Sequence, residues 1–321
     1  MAETLDGDDP CTPPLNSSCR SMPVTPGDIL IETLLYCIAL LTVMLNLLVI
    51  ISISHFRQLQ TPTNLLILSL AVSDLLVGVA VMPPAVAALQ SCWFPCKITC
   101  ALSGFILTSS SVGTMVLISA ERYVAICHPL HYSSMITTSR VKICVSACWS
   151  CSVIYNLIIL KDHFSQIDMS DSCYQEGVVI INYIPGSVDL ILTFFGPVTV
   201  IIVLNMRVFV AAVLQARVVQ FQIAGIKSNT VTVKKSEMRA ARALGIVLLV
   251  FILCLCPYYS PSLAGQDNVA AESPAKMWLF FCNSSFNPLI YAFSYPWFRK
   301  AVRLIVSLQI LQPGSCEAKI M

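Results

Sequence analysis

The chain has 321 residues, 56% of them hydrophobic and only 11% charged, with a formal net charge of +2 and a mean hydropathy of +0.78. A soluble domain carries roughly a quarter charged residues, so this composition excludes a soluble globular protein. It describes a chain that lives in a bilayer, and nothing in it suggests nucleic acid as a partner.

The opening Met-Ala-Glu-Thr-Leu-Asp-Gly-Asp-Asp-Pro has no basic start and no apolar core, so no cleaved signal peptide is expected and the first span serves as its own insertion signal. Asn16-Ser-Ser fits a glycosylation sequon. A spanning helix needs about 20 mostly apolar residues. Seven stretches qualify, at 30–54, 62–88, 97–120, 141–160, 183–206, 243–263 and 277–294. The expectation is an all-α membrane protein: an extracellular tail over 1–29, a seven-helix bundle over 30–294, and an amphipathic eighth helix with a cytosolic tail over 295–321. The loop at 207–242 reads as helix extensions around a break at Ala224-Gly225.

Of 19 Lys and Arg, only Arg20, Lys97, Lys161 and Lys276 fall on the amino-terminal side of these spans. The excess of basic residues on the other side puts the amino terminus outside and the carboxyl terminus in the cytosol. Twelve of the 17 acids lie on the outer side, where they either attract cations or merely solvate loops. The basic inner face suits anionic lipid and an acidic partner.

Ionisable groups at membrane depth default to functional hypotheses. Asp74 lies mid-span in the second stretch, with Asn46, Ser111, Asn283 and Asn287 at similar depth. These groups could hold a small cation such as sodium with water, or simply form a buried hydrogen-bond network. Asp189 lies eight residues before Pro197 in the fifth stretch, about 12 Å above it at helical rise. No Lys or Arg occupies a span interior at that depth. An unpaired carboxylate there either holds a proton, bonded to a neighbour, or awaits a cation from outside. A protonated amine would meet both its charge and its hydrogen bonds. Phe105, Tyr258, Tyr259 and Phe281 could wall such a pocket and add cation–π attraction, with Thr108 beside them.

At the inner end, Glu121-Arg122-Tyr123 closes the third stretch and Glu237 begins the sixth. A bridge from Arg122 to Glu121 and Glu237 would hold two helix ends together and break when they part. The plainer alternative is charges that snorkel to the interface. In the last span Asn283, Asn287 and Tyr291 share one helical face. Pro288 frees a backbone carbonyl that a neighbouring helix or water must satisfy. Cys37, Cys127, Cys144, Cys148, Cys151, Cys254, Cys256 and Cys282 read as small packing groups, and Cys316 as a free thiol. Cys11, Cys19, Cys92, Cys96, Cys100 and Cys173 lie on the outer side.

Asn46, Leu70-Ala-Val-Ser-Asp74, Glu121-Arg122-Tyr123, Trp149, Pro197, Cys254-Leu-Cys-Pro257 and Asn287-Pro-Leu-Ile-Tyr291 together resemble the rhodopsin-like G-protein-coupled receptors over nearly the whole length. Asn283-Ser284, Asn287-Pro288, Tyr291, Tyr295 and Trp297-Phe298 are similar to the signature of the trace amine-associated receptors. Those receptors place an amine-binding Asp eighteen residues before the Arg matching Arg122; here that position is Gly104. The acid at Asp189 resembles the fish-type branch, in which a relocated carboxylate takes the ammonium. The resemblance implies a plasma-membrane receptor in olfactory neurons for a small amine, with a heterotrimeric G protein of the stimulatory type as partner. It also implies a disulfide from the start of the third span, assigned to Cys96–Cys173. The sequence departs from the family at Leu255, where a Trp is expected, at Asn205, where a Tyr is expected, and at Leu45 in place of Gly.

Other readings fare worse. A small-cation transporter using Asp74 and Asp189 would show inverted repeats or paired broken helices, and neither is present. A membrane enzyme would need a metal motif or a nucleophile with a nearby base, and the histidines at 55, 128, 131 and 163 all lie near loops. A receptor-shaped protein with weak signalling remains open because of Leu255 and Asn205.

Overall fold

Local chemistry sets the start of the second span and the end of the seventh. In the computed structural model residues 26–87, 97–159, 190–223, 245–246, 249–257, 274–318 and 320 are described. The first helix, Pro26–His55, ends in a short turn at Arg57–Leu59. Thr61 then caps the second helix by accepting a bond from the Asn64 amide at 3.3 Å, and Pro62 supplies the preset first-turn φ. The second span runs over Pro62–Ala87, with a π turn at Val77–Val81 just ahead of Pro83 and Pro84. Gly78 sits in that turn, where a Cβ would stand 3.0 Å from Val43 Cγ2. Its bare Cα lets the first and second spans close on each other.

The third helix, Lys97–Cys127, leads through a short linker helix, Pro129–Met135, to the fourth, Thr138–Ile159. The described part of the fifth span opens on a second π turn, Leu190–Phe195, again just before a proline, Pro197. It continues as Gly196–Ile223, well past the apolar stretch read from the sequence. Residues 249–257 of the sixth span are helical. The seventh helix, Pro274–Ser294, breaks at Tyr295, which is held extended by the following Pro296. A separate tail helix, Pro296–Val306, buries Phe298 and Ala301 while Arg299, Lys300 and Arg303 stay exposed. Among the described residues no strand occurs, and five helices are long and apolar enough to cross a membrane.

Spans two, three, five, six and seven enclose an apolar core built on Leu70, Val112, Met115, Ile201, Phe251 and Leu255. The outward faces of spans one, four and five carry Leu34, Leu41, Ile143, Ile154, Ile158, Ile202 and Val203, as lipid contact requires. Cys37, Cys144 and Cys151 are also exposed on these helices.

Polar side chains stitch the helices at intervals. Trp149 Nε1 donates to Ser69 Oγ at 3.1 Å, and Ser69 meets Thr114 Oγ1 at 3.3 Å, joining spans four, two and three. Asn156 Nδ2 donates to Ser109 Oγ at 2.9 Å between spans four and three. In hydrocarbon such groups have no water to return to, so each bond fixes a register as well as adding attraction.

Candidate functional site: a central polar chamber beneath a mouth cavity

Midway along the bundle, Asp74 is fully buried, with both carboxylate oxygens engaged. Ser111 donates to Oδ1 at 3.2 Å from the third span, and Asn287 Nδ2 donates to Oδ2 at 2.8 Å from the seventh. Ser73 meets Ser111 at 3.0 Å, extending the network along span two. These bonds tie spans three and seven to the one acid of span two.

Asn46 was expected beside Asp74, and the structure gives it another duty. Its Nδ2 donates to the Ser284 carbonyl at 3.0 Å and to Thr42 O at 2.9 Å. Ser284 lies four residues before Pro288, so it is the carbonyl that proline leaves without an amide. Thr42 and Ser285 add a hydroxyl pair at 2.5 Å between spans one and seven. Asn283, also expected at Asp74, is buried with no hydrogen bond to Oδ1 among the described residues.

Above this network lies a cavity of about 20 Å3, room for about one water-sized group. Gly104, Thr108 and Ser111 of span three form one wall, Phe251 and Leu255 another, and Phe280, Phe281, Asn283 and Ser284 a third. Phe281 packs edge-on against Trp278 and Phe280, each with ring centroids 5.9 Å away. Phe105 is half-buried on span three and is not among the described lining residues. Among the described residues, a Cβ on Gly104 would meet only Val81 Cγ1, at 3.6 Å. No carboxylate is among those lining residues.

At the opposite end of the bundle, Glu121 is a buried hub. Its Oε2 pairs with Arg122 Nε at 3.2 Å. Its Oε1 accepts from Thr63 at 2.6 Å and from Tyr132 at 2.7 Å. Burial, and then the Glu121 carboxylate, push the Tyr132 phenol above its usual pKa despite the nearby Thr63 hydroxyl at 3.2 Å, keeping it a donor. Tyr291 is buried nearer the core, its ring 6.1 Å from that of Tyr295. Thr63, Tyr132, Thr42 and Ser285 were missed by sequence reasoning.

Asn205, where the family pattern expects Tyr, donates to Ser119 Oγ at 3.1 Å and ties span five to span three one turn before Arg122. Asp189, Tyr258, Tyr259, Glu237, Cys96, Cys173 and Asn16 lie outside the described residues. Among the described residues, no group of three His, Cys, Asp or Glu could hold a metal ion.

A profile of the 7 transmembrane receptor (rhodopsin family) matches residues 45–291, taking in the Asp74 chamber, the Glu121 hub and the proline-broken seventh helix. The trace amine-associated receptor 13c of Danio rerio is 35% identical, covering 97% of this chain and 95% of its own length. The receptor 8c of Rattus norvegicus is 36% identical over 97% and 96%, and receptor 6 of Homo sapiens 33% over 97% and 95%. The chain belongs to the trace amine-associated receptors. It is therefore a multi-pass membrane receptor of the rhodopsin family of seven-span proteins, and it is not an enzyme.

Proposed function

We propose that this trace amine-associated receptor detects small protonated amines from the extracellular side and signals through a heterotrimeric G protein, of the stimulatory type that raises cyclic AMP. One observation carries the ligand assignment. The third-span position that holds the amine's counter-ion in related receptors is Gly104, and it faces a cavity whose described lining is apolar or neutral. An ammonium entering such a site needs a carboxylate from elsewhere. Asp189 precedes Leu190, which packs against the bundle core, and it is the acid we assign to that task, with Tyr258, Tyr259, Phe281, Phe105 and Thr108 as further contacts.

The amino terminus faces outward, so the mouth cavity opens to the extracellular side and the Glu121 hub to the cytosol. Ligand binding favours the state in which Arg122 leaves Glu121 and its second expected partner, Glu237. Tight binding alone would not signal, because the amine must prefer the open state. Asp74, Ser111 and the unpaired Asn283 oxygen offer hard oxygen donors that suit a sodium ion in the closed state. Cys96–Cys173 closes the outer loop, and Asn16 carries glycan on the extracellular tail.

A cyclic-AMP reporter screen of volatile mono- and diamines tests the reading, with Asp189→Asn run at matched surface expression. Amine responses that shift to much higher concentrations or vanish in the variant support it. Equal responses in both proteins reject it.

A further inference from the structure

We propose that the first inner turn, His55–Leu59, and the adjoining tail helix form a peptide-docking socket, and that the chain's own residues 315–318 and Ile320 are its resident ligand. The contact arises because the chain reverses twice beyond the tail helix. Leu308 takes φ 58° and Gly314 takes φ 79°, both left-handed, and they flank a tight turn at Gln309–Leu311. The strand of chain so turned reaches back to the foot of the first span.

There Ile320 is 1% exposed, enclosed with Phe56, Leu59 and Ala301 in a cluster separate from the bundle core. Trp297 and Leu304 flank it. The Ile320 amide donates to Gln58 Oε1 at 3.2 Å. Ser315 Oγ donates to the Ile310 carbonyl at 2.6 Å and lies 3.0 Å from His55 Nε2. Arg57 Nη1 stands 3.4 Å from Glu317 Oε1, both side chains largely in solvent. An ion pair so exposed adds little attraction and mainly selects direction. The buried isoleucine is the anchor.

The connection to this anchor is unpacked. Val306, Leu308 and Leu311 are all exposed, so these side chains do not hold the connection, and the contacts to the first inner turn begin at Ser315. Such an element opens as a unit without disturbing the bundle. Its departure would uncover Phe56 and Leu59, an apolar patch beside a free guanidinium. What this surface reads in the chain's own tail is a carboxylate, Glu317, three residues before a branched aliphatic side chain, Ile320.

The test uses purified full-length receptor. Ile320→Asp should raise the alkylation rate of the half-buried Cys316 roughly tenfold, read by mass spectrometry of the tail fragment, while Ile320→Leu stays near wild type. A synthetic peptide of residues 313–320 carrying Cys316→Ser should then bind the Ile320→Asp receptor saturably and leave the wild type unoccupied. Equal alkylation in wild type and Ile320→Asp, or no peptide binding to the opened receptor, overturns the proposal. If Ile320→Asp lowers the folded fraction, hydrogen exchange in the wild type alone decides. The Ile320 amide should exchange roughly tenfold more slowly than in the free peptide, and equal rates overturn the docking.

Discussion

Asn46 donates a hydrogen bond across the helix interface to the Ser284 carbonyl at 3.0 Å, and that carbonyl is free because Pro288 has no amide to offer it. The two residues are 242 positions apart in sequence, yet one answers a vacancy the other creates. The bond explains why a polar residue sits fully buried in the first span.

A double-mutant cycle tests this link. Asn46→Ala should lower the unfolding free energy in detergent by about 1 kcal/mol, the usual cost of stranding a buried partner. Pro288→Ala restores an amide to Ser284, so the same Asn46→Ala change made in that background should cost clearly less. Thermal denaturation of the four purified proteins gives the coupling. Strictly additive losses would mean that the carbonyl is satisfied some other way.

The Asn205–Ser119 bond leads to a second expectation. It holds span five against span three beside Arg122, so it opposes separation of those helices. Replacing Asn205 by Leu keeps its bulk and removes about 1 kcal/mol of polar attraction. Ligand-free cyclic-AMP output should rise about fivefold at equal surface expression. No rise would show that the bond persists in the signalling state.

Tyr132→Phe takes one of two neutral donors from the Glu121 hub and leaves Thr63 and Arg122 in place. Basal signalling should increase about threefold, as a buried carboxylate loses a donor in the closed state. The pH sign is fixed by the phenol's raised pKa. The protonated donor is the favoured form in the fold, so its contribution is whole below the ordinary phenol pKa of about 10 and is lost only as pH rises past the raised value. Basal output should therefore show no Tyr132-dependent change between about pH 6 and 9. A titration in that window, absent in Tyr132→Phe, would contradict the assignment.

Much of this site was legible because charge and amide groups are conspicuous in apolar spans. Asp74, Asn287, Glu121 and Arg122 could be named from depth alone, and the orphan carbonyl from Pro288. Their partners were harder to read. Thr42, Ser73, Thr63 and Ser285 are residues that commonly bond their own helix backbone, as Thr42 also does to Ile38 at 2.8 Å, so their presence does not signal a tertiary bond. Depth also misassigned Asn46, because a proline's unmet carbonyl competed with the carboxylate for its amide. Tyr132 and segment 315–320 lie off the spans, where hydropathy carries no information.

The most direct test of the amine-receptor account moves the charge. Among the described residues, only Val81 comes within contact of a Cβ built on Gly104. In the account, Asp189→Asn raises the half-maximal amine concentration by roughly 10- to 100-fold, the value of a charge-assisted bond. Adding Gly104→Asp to Asp189→Asn returns a carboxylate to the cavity and restores an amine response in the cyclic-AMP assay. An unchanged response in Asp189→Asn alone would contradict it.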